Sequence, residues 1–414
     1  MPLSTKAYKG ARDFYPEDMR VRKYMFAVLR RVVESFGYQE YDAPFLEAFE
    51  LYAAKTGDEI VNEQLYSFTD KGGRKVAIRP EMTPSVSRMV AGRRQELAYP
   101  LRWYSIPNLW RYERPQRGRL REHYQLNVDL FGEAGISADF EIILVADKIL
   151  KAFGAGPDMY EIKLNSRKAM DGSLKSLELS EDQVSSLVKL IDKKSKMESS
   201  DFTSAVAEQI GQPKAEQLSS YLEGKMPPEP VERLLNLLNN SGVNNAVYDP
   251  SVVRGFDYYS DIVFEVYDKN PDNNRSMFGG GRYDGLVGLF GVEPVPTVGF
   301  GMGDVTLRNF LEGHNLLPEL KTETDVAVIL IGDVFIKAQP VIESLRAGGL
   351  NLAVDSTGRK LDVQLKHAVK AGAPFVIFIG EQELAEGQYK LRDLAKSEET
   401  KLPADKILEA IKRA

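Results

Sequence analysis

Six residues, RGFDYY at 254–259, place an arginine, a glycine, an aspartate and two tyrosines just ahead of an apolar run, IVFEVYD. A turn needs only Gly255, and a core needs neither Arg254 nor Asp257, so the group reads as a polar site at the mouth of a strand. A second group lies in WRYERPQRGRLREHYQLNVD at 110–129. Strand side chains repeat every two residues. Arg111 and Glu113 are therefore predicted on one strand face, and Gln125, Asn127 and Asp129 on one face of the next. The joining loop carries Arg114, Gln116, Arg117 and Arg119, with Arg121 just beyond, and is expected to be too long for a two-residue hairpin turn. Guanidinium forks suit phosphate oxygens, in a nucleotide or in an RNA backbone; a charged, exposed hairpin would show the same residues. In RPEMTPS, Arg79, Glu81 and Thr83 meet at a strand-to-helix junction, where a carboxylate and a hydroxyl suit an ammonium group. For Thr83 alone, helix capping is the stronger explanation. In FGGGRYDG, Gly279, Gly280, Gly281 and Gly285 flank Arg282, Tyr283 and Asp284, which fits either close ligand approach or a plain loop.

Composition narrows the chemistry. The 414 residues carry a formal net charge of −6, so a nucleic-acid partner would need a local basic patch. With no cysteine, thiolate catalysis, disulfides and thiolate-bound zinc are excluded. The histidines are only His123, His314 and His367, too far apart in sequence to suggest a metal site. The N-terminal MPLSTKAYKGARDF lacks the apolar run of a signal peptide, and no window approaches membrane-spanning length. The expectation is a cytoplasmic protein with no membrane partner.

The elements that must hold these groups are legible in outline. Residues 17–37 have helical spacing and end at Gly37. Pro44 marks a strand edge, RKVAIR at 74–79 alternates like a strand, and the segment from Thr83 and Pro84 begins a helix. The chain is expected to divide into a core over 1–167 and 246–320, a helical insertion over 168–245, and a last domain over 325–414. In that last stretch apolar strands alternate with amphipathic helices, which predicts a mostly parallel α/β sheet covered on both faces. It lacks both glycine-rich phosphate signatures. Its Arg359, Lys360, Lys366 and Lys370 fit an RNA-facing patch or an ordinary solvated face.

Taken together, WRYERPQRGR, RGFDYY, GGRYDGL, RPEMTPS and PTVGFGMG resemble, in order and spacing, the motifs of the histidyl-tRNA synthetase family, a class II aminoacyl-tRNA synthetase family. The resemblance covers almost the whole chain. It implies an α+β catalytic core built on an antiparallel sheet, with a C-terminal α/β anticodon-binding domain. It implies activation of L-histidine by ATP, with Mg2+ accompanying the nucleotide, and transfer of histidine to tRNA(His). Arg111 would hold the ATP α-phosphate and the amino-acid carboxylate, with Arg254 opposite it. Glu113, Arg119 and His123 would serve ATP, His123 standing where an adenine-stacking aromatic is usual. Glu81, Thr83 and Gln125 would take the α-ammonium, Asp129 and Tyr259 the imidazole, and Tyr258 and Tyr283 would complete the amino-acid pocket. Arg114, Gln116 and Arg117 would approach the tRNA acceptor end. A homodimer through residues 17–49 is implied, with Pro44 near the interface. The magnesium ligands are not assignable.

One departure stands out. The family's third motif usually ends in an arginine that grips the γ-phosphate, and GFGMGDVTL has Thr306 there, with Arg308 two residues later. Thr306 leaves open a rival reading, a synthetase-like regulatory subunit of histidine biosynthesis that binds histidine and charges no tRNA. Such paralogues typically lack the anticodon domain, whereas this chain has residues 325–414, Arg254 and a basic loop. A nucleic-acid-binding accessory protein with a degenerate synthetase fold is a further rival, and the full pocket set opposes it.

Overall fold

The structure, a computed structural model, describes residues 3–53, 60–192, 194, 197–224, 226–253, 258–273 and 275–412. The chain divides into two compact units, Met1–Phe14 with Arg22–Leu317, and Tyr15–Val21 with Pro318–Ala414. Among the described residues no helix is long and apolar enough to cross a membrane.

Helix α1 (Pro16–Ser35) opens with Pro16, whose missing N–H costs nothing in the first turn, and with Glu17 and Asp18, which suit the positive helix end. It buries Met25, Val28, Leu29, Val32 and Val33, and Gly37 then reverses the chain at φ +84°. A short sheet follows, formed by β2 (Leu46–Ala48) and β3 (Ser67–Thr69) on either side of β4 (Lys75–Ile78), with β1 (Gln39–Glu40) left to the main sheet and α2 (Phe49–Ala53) packed alongside. Helix α3 (Thr83–Gly92) then begins. Thr83 is its first helical residue and Met82 the cap, so Thr83 does not cap the helix.

Among the described residues the main sheet has nine strands. Besides β1 they are β5 (Leu101–Ser105), β6 (Asn108–Trp110), β7 (Glu122–Phe131), β8 (Tyr160–Ser166), β9 (Ala246–Tyr248), β10 (Ile262–Asp268), β11 (Ser276–Arg282) and β12 (Thr297–Gly303), in the order β1-β5-β7-β12-β11-β10-β8-β9, with β6 beside β7. All pairings are antiparallel except the two at the edges, β1 with β5 and β8 with β9. Helices α4 (Ile136–Ala152) and α10 (Asp304–Gly313) pack on the sheet at β7 and β12. Arg282 of β11 and Asp139 of α4 are buried together, with Nη2 donating to Oδ2 over 2.6 Å and to the Gly135 carbonyl, Nε to Oδ1 and Nη1 to the Glu133 carbonyl. A buried pair survives desolvation only when its hydrogen bonds are made in this way.

The register explains the glycine run, which is strand and not loop. Asp129, Gly299, Gly281 and Val263 lie in one row across β7, β12, β11 and β10, and Asn127, Gly301, Gly279 and Glu265 in the next on the same face. This front face is nearly bare at its centre. Gly280 faces the other way, opposite Phe264 and Phe300, whose rings meet 6.3 Å apart. A Cβ on Gly280 would fall 2.6 Å from Phe300 Cβ.

Four helices, α5 (Arg167–Ser176), α6 (Glu181–Asp192), α7 (Ser199–Ile210) and α8 (Gln212–Leu222), share a core of their own that includes Met170, Leu187, Phe202 and Leu218. Helix α9 (Glu229–Asn240) packs instead on α4, β8 and β9.

In the second unit, β13 (Val326–Ile331) lies between β14 (Leu352–Asp355) and β15 (Phe375–Gly380), all parallel, with α11 (Phe335–Ala347) and α12 (Leu361–Lys370) as the crossovers. After α13 (Glu381–Glu386) the sheet continues antiparallel through β16 (Tyr389–Asp393) and β17 (Glu398–Leu402), and α14 (Ala404–Lys412) follows. The sheet is thus half antiparallel, because the short Asp393–Glu398 connection allows a hairpin where a parallel return needs a crossover. Arg359, Lys360, Lys366 and Lys370 are exposed.

Candidate active site

The front face of the main sheet is where the polar groups converge. Gln125, Asn127 and Asp129 share it, as strand alternation requires. They lean over glycines, since a Cβ on Gly299 would lie 2.3 Å from Asp129 Oδ1 and one on Gly301 would lie 1.7 Å from Gln125 Nε2. The ring of Tyr259 lies along Gly281, where a Cβ would sit 3.0 Å from Cδ1. Tyr258 stacks against Tyr259 and Tyr283 at 4.9 and 5.7 Å, and its hydroxyl donates to Glu81 Oε2 over 3.1 Å. The Tyr283 hydroxyl donates to Asp129 Oδ1. Glu81, Tyr258, Tyr259, Tyr283, Asp129 and Gln125, drawn from four separate stretches of chain, thus form one cluster, with Thr83 at the start of α3 beside Glu81.

Burial pushes the Asp129 carboxyl up to about 7, against the pull of the Tyr283 hydrogen bond and of the Tyr41 hydroxyl nearby. Burial also raises Tyr283, with the Asp129 charge adding to it. Tyr41 and Ser105, which sequence reasoning did not single out, stand beside this carboxyl. Ser105 is opposite Asn127 on β5, and Tyr41 is anchored by its N–H to the Tyr104 carbonyl at 2.8 Å. The one signal for Ser105 was a hydroxyl at a buried position of LRWYS; Tyr41 gave none.

The second cluster departs from its expected geometry. Strand β6 stops at Trp110, so Arg111 and Glu113 lie in irregular chain rather than on one strand face. Pro115 cannot donate to a ladder, and the Tyr112 and Arg111 N–H groups turn to the Gln64 and Arg121 carbonyls. The loop does close on a two-residue turn, Arg117–Gly118, with Gln116 and Arg119 bridged and Gly118 at φ +80°. Arg114, Gln116, Arg117 and Arg119 are exposed, with Arg117 Nη1 3.2 Å from the Asp272 carbonyl. Arg121 is instead part of the fold: it stacks 3.8 Å over Tyr112 and donates to the Glu113 carbonyl and the Tyr8 hydroxyl. Arg79 is likewise committed, to Asp42 and to the Ala43 and Asn108 carbonyls.

Arg111 anchors its Nε on the Pro80 carbonyl at 2.9 Å, next to Glu81. His123 shares the Gln125 face, and burial, with Arg111 and Arg12 nearby, lowers it to about 3, so its ring is neutral. Thr306 spends its hydroxyl on the Met277 and Gly303 carbonyls, and Arg308 pairs with Glu312. Arg254, with Gly255 and Asp257, lies outside the described residues. Among the described residues no three His, Asp or Glu side chains are grouped to hold a metal ion.

An antiparallel sheet with a glycine-floored polar face, joined in one chain to a separate α/β unit, is the architecture of a class II aminoacyl-tRNA synthetase. Residues 10–303 match the family described as histidyl-tRNA synthetase, and 325–414 match the anticodon binding domain. The histidine–tRNA ligase of Leptospira biflexa is 43% identical over 99% of this chain and 98% of its own. That of Thermoplasma volcanium is 39% identical over 96% of each. The crystal structure of histidyl-tRNA synthetase from Nostoc sp. PCC 7120 has the same fold, with a TM-score of 0.82 at 24% identity and full coverage of both chains. The chain belongs to the histidyl-tRNA synthetase family.

Proposed function

We propose that this chain is an ATP-dependent histidine–tRNA ligase, which makes histidyl-adenylate and pyrophosphate and then transfers histidine to tRNA(His). The observation that carries this reading is the Glu81–Tyr258–Tyr283–Asp129 chain of contacts over bare glycines, in a protein matching histidine–tRNA ligases over nearly its full length. Glu81, Thr83 and Gln125 receive the α-ammonium. Asp129 and Tyr259 face the imidazole, with Tyr258 and Tyr283 completing the pocket. Arg111 holds the substrate carboxylate and the α-phosphate, and Arg254 the opposite side.

The first step is attack of one anion on another, so alignment and fixed positive charge supply most of the rate. The carboxylate oxygen bonds to the α-phosphorus as the bond to pyrophosphate breaks. A terminal ribose hydroxyl of the tRNA then displaces AMP. Neither step needs a protein nucleophile. Neutral His123, Glu113 and Arg119 attend the nucleotide. Magnesium enters with ATP, since such ions are held largely by phosphate oxygens and one or two carboxylates. The exposed Arg114, Gln116 and Arg117 approach the acceptor end, and residues 325–414 read the anticodon. The working unit is a homodimer. The anticodon-type domain and the basic loop favour this reading over a regulatory subunit. Histidine-dependent exchange of labelled pyrophosphate into ATP, followed by charging of tRNA(His), tests it; histidine binding without exchange would overturn it.

A further inference from the structure

Two hydroxyls beside Asp129 are buried without a hydrogen bond. Tyr41 Oη and Ser105 Oγ have no partner, and Ser105 is 1% exposed. Burying an unpaired hydroxyl costs roughly 1–3 kcal/mol, so two together are an expensive arrangement to keep. They are not scattered. Ser105 and Trp103 of β5 stand opposite Asn127 and Asp129 on the front face. The Tyr41 ring packs 5.7 Å from Trp103 and lies near enough to Ser105 and Asp129 for both to shift its acidity. Tyr283 closes the group from the other side, through Asp129.

We propose that Tyr41 and Ser105 are specificity-determining residues for the ring end of the bound amino acid. The inference rests on the histidine-ligase reading and deepens it. A neutral imidazole offers one N–H donor and one nitrogen acceptor. An ionised carboxylate can only accept, whereas a hydroxyl does both. Asp129 alone satisfies the N–H; Asp129 with two hydroxyls satisfies both ring nitrogens. An apolar side chain of similar size would leave both hydroxyls unpaired, and sites built on buried polar partners reject such analogues strongly.

The experiment uses the full chain with Tyr41→Phe, Ser105→Ala, the double variant and Ser105→Thr, which keeps a hydroxyl. Histidine and ATP KM values come from pyrophosphate exchange, and melting is followed with and without histidine. Each lost hydroxyl is expected to raise the histidine KM about 3- to 30-fold and to shrink the histidine-induced rise in melting temperature. The ATP KM should stay within about twofold, and Ser105→Thr should retain most of the affinity. Removing an unpaired hydroxyl should leave the ligand-free melting temperature equal or higher, so failure to fold does not obscure the result. A double variant with wild-type histidine KM and a raised melting temperature would overturn the inference, leaving the hydroxyls as packing defects. Absence of histidine-dependent exchange in the wild type would overturn the ligase reading, and this inference with it.

Discussion

Replacing Gly301 by alanine tests the glycine floor with a single methyl group. Its ideal position is 1.7 Å from Gln125 Nε2, 2.9 Å from Gln125 Cδ and 3.5 Å from Asn127 Oδ1. Every atom in the way is side chain, so the carboxamide can swing aside. The backbone at Gly301 is not in the left-handed region, and alanine there should fold with stability changed by about 1 kcal/mol or less. The loss is functional. A hydrogen bond to a charged group is worth roughly 1.5–3 kcal/mol. If Gln125 holds the α-ammonium, the histidine KM in pyrophosphate exchange should rise about 10- to 150-fold, at about 1.4 kcal/mol per factor of ten. The ATP KM should barely change. Gly299→Ala is the control, because its methyl would lie 2.6 Å from the Val128 backbone carbonyl as well as against Asp129, and it should lower the melting temperature. A Gly301→Ala protein with normal melting and an unchanged histidine KM would show that Gln125 does not grip the substrate from this position.

Three further outcomes are expected. Between about pH 4 and pH 7 the native Asp129 carboxyl, raised to about 7, keeps its proton while the unfolded chain releases it, so stability should fall as pH rises through that window. Asp129→Asn should remove that part of the slope in urea titrations, and parallel curves for the two proteins would contradict it. Asp139→Ala leaves the buried Arg282 charge only the longer contact to Asp284 at 3.7 Å and should cost about 3 kcal/mol by denaturant titration; a change under about 1 kcal/mol would refute the pairing argument. Arg254→Ala should slow single-turnover adenylation on the order of 10²-fold while sparing transfer from preformed adenylate, and a wild-type adenylation rate would make Arg254 structural only.

Strand alternation alone placed Gln125, Asn127 and Asp129 on one face, because a period of two is enforced by the pleat whatever surrounds it. The helices and parallel strands of the last domain were legible for the same local reason. What was lost depends on partners distant in sequence. Nothing in WRYERP announces that β6 ends at Trp110, since there the Arg121 N–H turns to the Gly10 carbonyl and the Tyr112 N–H to that of Gln64. Arg121 looked like a free fork because its partners, Tyr8 and Tyr112, lie far along the chain or across the loop. GGG is ambiguous by itself; only the register against Phe300 and Phe264 shows it to be a strand. Tyr41 and Ser105 become visible only when β1 and β5 are laid beside β7.

The alternation of Gly299, Phe300, Gly301 and Met302 against Gly281, Gly280, Gly279 and Phe278 also makes the pocket a frame-dependent message. Sliding β12 by one residue would bring Phe300 and Met302 to the ligand side and turn the glycines inward, filling the site and emptying the core in one move. Substrate recognition and correct strand pairing are therefore proofread together. A chain that misaligns these strands forfeits its stability as well as its active site, which leaves few folded, mispaired molecules to charge the wrong amino acid.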